Sequence, residues 1–331
     1  MPGAISKAIE DAQTILLTTA ELDGDAVGAI TALAIAIERR WPEKEIRIVT
    51  DEVLPSRYKF LEHEPGVYKC AADVAVEPID LGIVLDGDPE RLRTATPHYE
   101  AAKLRGLIDH HKTSVLVSVD VSLLDIHAAS TTELVLALCD LWGVEVDQRI
   151  AKPIFAGMVF DTSIFRYRMT NPSTLRAAAR LLETGIDHAS IVEEVLLQQP
   201  EDKVRLRGRM IEKMQRGAGG RLAWATLTRG EMNGTEAGGL VDDLVFIEGV
   251  EVAALLNERI DGSIKLSLRS RGGVDVSTVA RQLSPQGGGH ARAAGATLTG
   301  QLDEEARRVV EFAAESLAAA SAPRMADTPQ Q

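Results

Sequence analysis

Acidic residues and histidines follow several short apolar segments of the chain. Asp23 and Asp25 flank a glycine shortly after the apolar run 15–17, and Asp86 directly follows the apolar run 83–85. Two more groups follow runs 107–108 and 158–160, and their members are Asp109, His110, His111 and Asp161. Carboxylates packed together without cations repel and raise one another's pKa. Divalent metal ions are the natural compensation, so the pattern predicts a metal site.

The ligand types indicate which ion and which chemistry. Mixed carboxylate and imidazole ligands suit Mn²⁺, whereas Mg²⁺ prefers oxygen ligands; Mg²⁺ or another divalent ion remains an alternative. Two such ions about 3.5–4 Å apart stabilise the attacking and leaving oxygens of a phosphoryl displacement. Each motif alone also has a structural interpretation: Asp23 and Asp25 could form an ordinary turn, and Asp86 or Asp161 could cap a helix. Their common placement after apolar runs favours the metal site.

The first half of the chain alternates predicted strands with predicted helices. The strand-like runs are ILLTT, EIRIVTDE, LGIVLDGD, RGLIDHH and AGMVFDTS, and the intervening segments AVGAITALAIAIERRW and STTELVLALCDLW have helical spacing of apolar residues. This alternation predicts an α/β domain with a mainly parallel sheet and helices on both faces. Ligands of such sheets bind beyond the carboxyl ends of the strands, which is where the acids and histidines lie.

A chain of 331 residues exceeds what one hydrophobic core usually serves. We expect a metal-binding catalytic domain over 1–186, a helical linker over 187–216, a smaller α/β domain with a mixed sheet over 217–320, and a disordered tail over 321–331. In the smaller domain Asp261-Gly262 predicts a hairpin between two strands, and a long helix follows. The basic stretch 203–216 is either a solvated helix face or an electropositive wall for a phosphate chain.

Composition limits the partners. The formal net charge of −13 disfavours binding of long duplex nucleic acid but allows a small phosphorylated substrate held by metals or a few arginines. The chain contains no run of about 18 apolar residues, which a membrane-spanning helix would need, so no membrane partner is expected. The N-terminus lacks the features of a secretory signal, and the two cysteines, Cys70 and Cys139, suit a reduced state. A cytoplasmic protein is the expectation.

Several motifs resemble those of a known family. LIDHHKT matches the signature of the DHH phosphoesterases, and the aspartate pair, the LDGD run and the GMVFDTSIFRY run look like that family's other motifs, in the same order. QGGGHARAAGA is similar to the signature of the DHH-associated C-terminal domain, so the resemblance spans about residues 12–300. The branch it most resembles contains small oligoribonucleases that also dephosphorylate 3′-phosphoadenosine 5′-phosphate.

The resemblance implies two Mn²⁺ ions and a role for each motif residue. Asp86 would bridge the metals, and Asp23 would bind the first of them. The second metal would be bound by Asp25, His110 and Asp161. His111 would face the scissile phosphate, and Asp109 would orient the histidines.

One position departs from the family pattern. The family usually has a metal-binding histidine four residues before the first aspartate of the pair, where this chain has Thr19. A hydroxyl is a poor replacement for imidazole, and Thr18, Glu21 or a water could fill the place. We therefore expect the first metal to bind weakly.

The second domain would supply substrate recognition. Its candidates are Arg269, Ser270, Gly287, Gly288, Gly289 and His290, which offer charge-assisted hydrogen bonds and backbone N–H groups to phosphate. A tight glycine turn and solvated arginines are the structural alternatives. Ser130 and Arg166 are weaker candidates; Ser130, followed by Glu133, equally suits a helix cap.

The expected protein is a metal-dependent phosphodiesterase with a cleft between its domains. It would release nucleoside monophosphates from short single-stranded RNA or linear dinucleotides, with 3′-phosphoadenosine 5′-phosphate as a side substrate. Homodimers are common among the proteins that the chain resembles, so the resemblance implies a homodimer as one state. The alternative, motivated by Thr19, is a catalytically weakened protein that binds nucleotides as a regulator.

Overall fold

A computed structural model describes residues 2–111, 116 and 118–321 of the chain. The chain divides between Gln198 and Gln199 into two compact units, each with its own core. This division falls within the range 187–216 that was predicted as a linker. The tail predicted over 321–331 lies outside the described residues except for Ser321. None of the helices in the described ranges is long and apolar enough to cross a membrane.

The first unit is built on a parallel sheet. Its strands are β1 (Thr14–Thr18), β2 (Glu45–Thr50), β3 (Tyr68–Cys70), β4 (Ile79–Leu85), β5 (Ala102–Asp109) and β6 (Val121–Leu124). They lie in the order β3-β2-β1-β4-β5-β6 with parallel pairing throughout. The helices are α1 (Pro2–Asp11), α2 (Gly24–Arg40), α3 (Thr96–Glu100), α4 (Thr131–Trp142), α5 (Gln148–Thr162), α6 (Pro172–Glu183) and α7 (His188–Val192). The predicted parallel sheet with surrounding helices is confirmed.

The two faces of this sheet are covered unequally. The larger core includes Ile15 and Leu17 of β1 and packs against α2, α4 and α5. A smaller apolar cluster, which includes Leu16 and Tyr99, covers the opposite face beside the short helix α3. Alternate side chains of a strand point to opposite faces, so β1 contributes to both cores.

The segment AGMVFDTS was predicted as a strand, and that prediction is wrong. It forms the last two turns of α5, whose N-terminus is capped by the side chain of Asp147. Ile150, Ile154 and Met158 are buried at a spacing of four residues, which is the spacing of one helix face. The β-branched and aromatic residues near Asp161 suggested a strand locally, but the longer periodicity and the cap determine a helix.

The second unit contains a mixed sheet. Its strands are β7 (Gln215–Gly217), β8 (Leu222–Leu227), β9 (Val252–Glu258), β10 (Ile264–Ser270), β11 (Gly288–His290) and β12 (Ala293–Leu298), in the order β11-β12-β10-β9-β8-β7. Only the β8–β9 pair is parallel among the described pairings. The helices are α8 (Glu201–Lys213), α9 (Arg229–Met232), α10 (Val241–Val245), α11 (Val276–Leu283) and α12 (Leu302–Ser321). The hairpin predicted at Asp261-Gly262 joins β9 to β10.

The basic stretch 203–216 is largely neutralised within this unit. Arg207 pairs with Asp243 at 2.7 Å, and Lys213 pairs with Glu231 at 2.9 Å. Arg205 pairs within its own helix. These contacts favour a solvated, ion-paired helix face over an electropositive wall.

Candidate metal centre

Three neighbouring strands deliver the first residues of the centre. β1, β4 and β5 are adjacent and parallel, so their carboxyl ends meet at one sheet edge. Asp86 follows β4 directly, and its backbone N–H donates to Ile108 of β5 at 3.0 Å. Asp86 has a φ of 57°, a left-handed conformation that aspartate tolerates better than most residues. The turn starts at the strand end and leaves the carboxylate buried at this edge.

Four ligand groups converge at this edge. Asp25, Asp86, His110 and Asp161 each offer one atom, and all four atoms lie within 4.8 Å of one another. His110 Nε2 lies 2.9 Å from Asp161 Oδ2 and 3.7 Å from Asp86 Oδ1. A second group that shares two of these members consists of Asp86, His110 and His111. The sequence prediction therefore brought together residues that are adjacent in space, although Asp161 comes from a helix and not from a strand end.

The N-terminus of α4 holds two of the three carboxylates. Asp25 is fully buried, and its two carboxylate oxygens accept backbone N–H groups of Thr131 and Thr132 at 2.6 and 3.1 Å. The Thr131 hydroxyl donates to Asp86 Oδ1 at 3.0 Å. Free N–H groups at a helix N-terminus favour negative charge. From sequence, Ser130, Thr131 and Glu133 resembled a family motif or a helix cap, and the contacts of Thr131 with Asp25 and Asp86 were not predicted.

A close helix crossing places Asp25 against Asp161. A Cβ added to Gly157 of α5 would lie only 2.5 Å from Asp25 Oδ1, and one added to Gly28 of α2 would lie 2.3 Å from the carbonyl oxygen of Pro153. Only glycine permits this approach. Sequence reasoning overlooked Gly157, although its place four residues before Asp161 puts both on one face of α5.

His110 has the hydrogen bonding of a metal ligand. Its Nδ1 lies 3.3 Å from the carbonyl oxygen of Ala128, which can only accept, so Nδ1 carries a proton. Nε2 is buried and has no hydrogen-bond partner among the described residues, because its approach to Asp161 lacks hydrogen-bond geometry. A buried nitrogen without a partner is costly. With three carboxylates around it, the donor set fits a divalent cation.

The electrostatics of the metal-free centre also favour binding of a divalent cation. Burial, and then the charge of Asp161, raise the pKa of both Asp23 and Asp25 to about 7. Burial and the neighbouring carboxylates raise the pKa of Asp86 well above its ordinary value. Burial lowers the pKa of His110, but Asp161 and Asp25 outweigh it and raise that pKa to about 9. A bound cation would relieve this excess of buried negative charge.

Asp109 arranges the two histidines. It is fully buried, and its Oδ1 accepts the backbone N–H of His110 at 2.8 Å and Nδ1 of His111 at 2.8 Å. This hydrogen bond raises the pKa of His111. The His111 side chain keeps 38% of its surface exposed, and its Nδ1 lies 3.6 Å from Asp86 Oδ1. His111 therefore stands at the border between the buried carboxylates and solvent.

The residues expected at the first metal are differently arranged. Asp23 is outside both convergent groups, and its Oδ1 caps α2 by accepting N–H groups of Asp25 and Ala26 at 3.0 Å. The buried Thr19 hydroxyl lies 3.1 Å from the carbonyl oxygen of Glu21 and 3.4 Å from that of Asp86. Both side chains thus support the loop between β1 and α2.

The other weaker candidates have local partners. The Glu21 side chain is exposed and pairs with Arg91 at 3.3 Å. Ser130 caps α4 by accepting the N–H of Glu133, which matches the capping alternative. Arg166 donates to Ser163 from the turn that follows α5.

In the second unit the recognition candidates lie on or beside β10 and β11, which are separated by β12 in the sheet. Arg269 of β10 pairs with Asp242 at 2.6 Å through Nε. Ser270 is buried, and its hydroxyl has no hydrogen-bond partner within the described ranges. His290 ends β11 and is exposed. The glycines Gly287–Gly289 precede it, and Gly289 has a φ of 127°, which favours glycine.

Comparisons with known proteins agree with this architecture. A family model described as the DHHA1 domain matches residues 219–319. The chain is 33% identical to the bifunctional oligoribonuclease and PAP phosphatase NrnA of Thermus thermophilus, over 95% of this chain and 92% of that protein. It is 27% identical to the protein of the same name from Bacillus subtilis, over 83% and 86% of the two chains. The crystal structure of an exopolyphosphatase-related protein from Bacteroides fragilis superposes with a TM-score of 0.84 at 25% identity, covering 94% of each chain.

These matches, together with the Asp109-His110-His111 motif at the sheet edge, define the class of the protein. The chain belongs to the DHH family of phosphoesterases, hydrolases that act on phosphoester bonds, and carries the associated DHHA1 domain. Within that family, the relatives from Thermus thermophilus and Bacillus subtilis, which it matches over most of its length, are named as bifunctional oligoribonucleases and PAP phosphatases.

Proposed function

We propose that this protein is a metal-dependent phosphodiesterase that releases nucleoside monophosphates from short single-stranded oligoribonucleotides or linear dinucleotides. It also removes a phosphate from 3′-phosphoadenosine 5′-phosphate. The observation that supports the proposal most is the largely buried convergence of Asp25, Asp86 and Asp161 around Nε2 of His110. The substrate class follows from the names of its relatives.

The residues of the first unit have two different proposed roles, metal binding and contact with the phosphate. Asp25, Asp86, His110 and Asp161 would hold a divalent ion, with Mn²⁺ expected and Asp23 serving a second ion. Bound divalent ions supply positive charge to the phosphate oxygens and lower the pKa of water. His111, oriented by Asp109 and kept protonated over a wider pH range, donates a hydrogen bond to a nonbridging oxygen of the scissile phosphate.

We assign recognition of the terminal nucleotide to the second unit. His290 and Gly289 are exposed and Gly288 is half-buried, and we assign to them hydrogen bonds to phosphate. The unpartnered Ser270 hydroxyl is a further donor. Arg269 contributes charge, although its Nε and Nη1 are already engaged.

The test is hydrolysis of pApA and of 3′-phosphoadenosine 5′-phosphate by the purified chain, after chelation and with Mn²⁺, Mg²⁺ or Ca²⁺ restored. We expect AMP release with Mn²⁺ and none after chelation. The absence of product with every ion, from protein shown to be folded, would favour the nucleotide-binding regulator instead.

A second test separates recognition from metal binding. His290→Ala and Arg269→Ala should each raise KM about tenfold or more, since a hydrogen bond to a charged group contributes about 1.5–3 kcal/mol. Arg259→Ala removes the same charge from the exposed hairpin of the same unit and serves as the control. Metal content should stay unchanged in all three variants. Loss of metal from His290→Ala would contradict the assignment.

A further inference from the structure

The donors of the metal centre are unequally available. The four convergent groups present three carboxylates and one imidazole nitrogen, all within 4.8 Å. On the other side, Asp23 is bound to the helix α2 through Oδ1, which leaves Oδ2 to face an ion. Thr19 is bound to backbone carbonyls, and Glu21 is exposed and paired with Arg91. This second position is the one that the resemblance assigned to the first metal, and it can draw on Asp23 and a shared Asp86. His111 lies near Asp86, but its Nδ1 is engaged with Asp109.

We propose that the chain builds one complete divalent-ion site and half of a second, and that the second ion enters together with the phosphate group of a nucleotide. The phosphate oxygens then supply the ligands that this chain lacks. This inference rests on the proposed function, since it concerns the same site and substrate class.

Charge explains why the two ligands would enter together. Asp23, Asp25, Asp86 and Asp161 bring four carboxylates to the centre, and one divalent ion balances only part of this charge. A phosphate group entering such a site adds further negative charge, which a second cation offsets. By thermodynamic linkage, a nucleotide that tightens the second ion is itself tightened by that ion to the same extent.

The partial second site also follows from hydrogen bonding. Asp23 could turn fully towards an ion only by releasing the N–H groups of Asp25 and Ala26 at the start of α2. Losing such a cap destabilises the start of the helix. The Thr19 hydroxyl donates to the backbone carbonyl oxygens of Glu21 and Asp86, and turning it towards an ion would weaken these contacts. These costs oppose filling of the second position by an ion alone.

The experiment counts ions without requiring turnover. Metal-free protein is dialysed against a Mn²⁺ series, and bound manganese is measured per chain alone, with AMP, and with adenosine, which lacks the phosphate. We expect one tightly bound ion for the protein alone or with adenosine, and two with AMP. The affinity of the second ion should rise about tenfold or more with AMP, within the usual range of coupling between sites.

Variants at position 19 sharpen the result. Thr19→His adds an imidazole ligand and should give two ions without AMP, whereas Thr19→Ser keeps the hydroxyl and should behave as the unmodified protein. Two tight ions in the unmodified protein without AMP, or one ion only with bound AMP, would overturn this inference while leaving the proposed hydrolase intact. No bound manganese under any condition would overturn both. A normal ion count without pApA hydrolysis would overturn the proposed function alone.

Discussion

The two units differ in how they distribute charge and side chains. In the first unit, buried charge is concentrated: Asp25 and Asp109 are fully buried, and each is held by backbone N–H groups. In the second, the segment 287–290 has almost no side chains, and its last residue is exposed. Excess charge creates a demand for cations, whereas missing side chains expose backbone donors. Under the proposed function, chemistry and recognition would therefore leave different signatures in one chain.

The glycines of the second unit are not equivalent. A Cβ on Gly287 would lie 2.0 Å from the carbonyl oxygen of Ala280, so the fold itself excludes a side chain there. Gly289 needs its positive φ. A Cβ on Gly288 would meet no described atom within 4 Å. The fold therefore requires glycine at two of these positions and does not require it at Gly288.

The largest effect is expected from removing the central carboxylate. Asp86→Asn should lower hydrolysis by at least about 100-fold, because even an outer partner of a metal ligand contributes 10–100-fold. Without metal, the same variant should melt at a higher temperature, since it removes a buried charge. Thermal unfolding with and without Mn²⁺ tests both statements.

Asp73→Asn, on the surface of the same unit, provides the control for Asp86→Asn. It should leave activity and the Mn²⁺-dependent melting shift unchanged. Normal manganese binding by Asp86→Asn would contradict the assignment of the cluster at the strand ends as the catalytic centre.

Gly157→Ala tests whether helix packing positions the ligands. The added methyl would lie 2.5 Å from Asp25 Oδ1, so the carboxylate must move and Mn²⁺ affinity should fall about 10–100-fold. Gly208→Ala is the matched control, because Gly208 is a helical glycine with nothing within 4 Å. That control should stabilise the protein by about 1 kcal/mol through helix propensity. Equal manganese affinity in the two variants would contradict this role of Gly157.

Gly288→Ala and Gly287→Ala separate recognition from folding within three residues. We expect Gly287→Ala to lower the melting temperature, because a clash with Ala280 is unavoidable. Gly288→Ala should leave the melting temperature unchanged and raise KM several-fold by obstructing approach to the backbone. If both variants only lose stability, the glycine segment has a structural role alone.

The smallest effect concerns pH and the metal-free protein. The pKa of Asp25 is about 7 in the folded state and about 4 in the unfolded state. Between about pH 4 and about pH 7 the folded protein therefore keeps a proton on Asp25 that the unfolded chain releases. Stability should therefore fall as pH rises from about 4 to about 7. His110, with a pKa of about 9 against about 6.5, extends the fall to about pH 9.

Bound Mn²⁺ should offset this loss, since it replaces the protons. The rise in melting temperature on adding Mn²⁺ is therefore expected to be larger at pH 8 than at pH 5. A larger rise at pH 5 would show that the buried carboxylates are not the groups that bind the ion.

Much of this arrangement could be predicted from sequence, because local patterns encode it. Apolar runs followed by Asp86 or by Asp109-His110-His111 identified the strand ends, and strand adjacency brought them together. The helix around Asp161 was missed because a short apolar run does not distinguish strand from helix. The contacts of Thr131 and Gly157 with Asp25 could not be predicted, since they depend on how α4 and α5 pack against α2.

The ligands of the centre come from distant parts of the first unit, and this gives a bound ion a mechanical role. Along the sequence, Asp25 is the first of the four ligands and Asp161 is the last, and Asp86 and His110 lie between them. An ion held by all four acts as a reversible crosslink that closes several long loops at once, and closing long loops restricts the unfolded chain most. Release of the ion must then precede global opening, so amide hydrogen exchange should slow across α2, β4, β5 and α5 together. All four ligands precede the second unit in the chain, so the crosslink can form on a nascent chain before that unit has been synthesised.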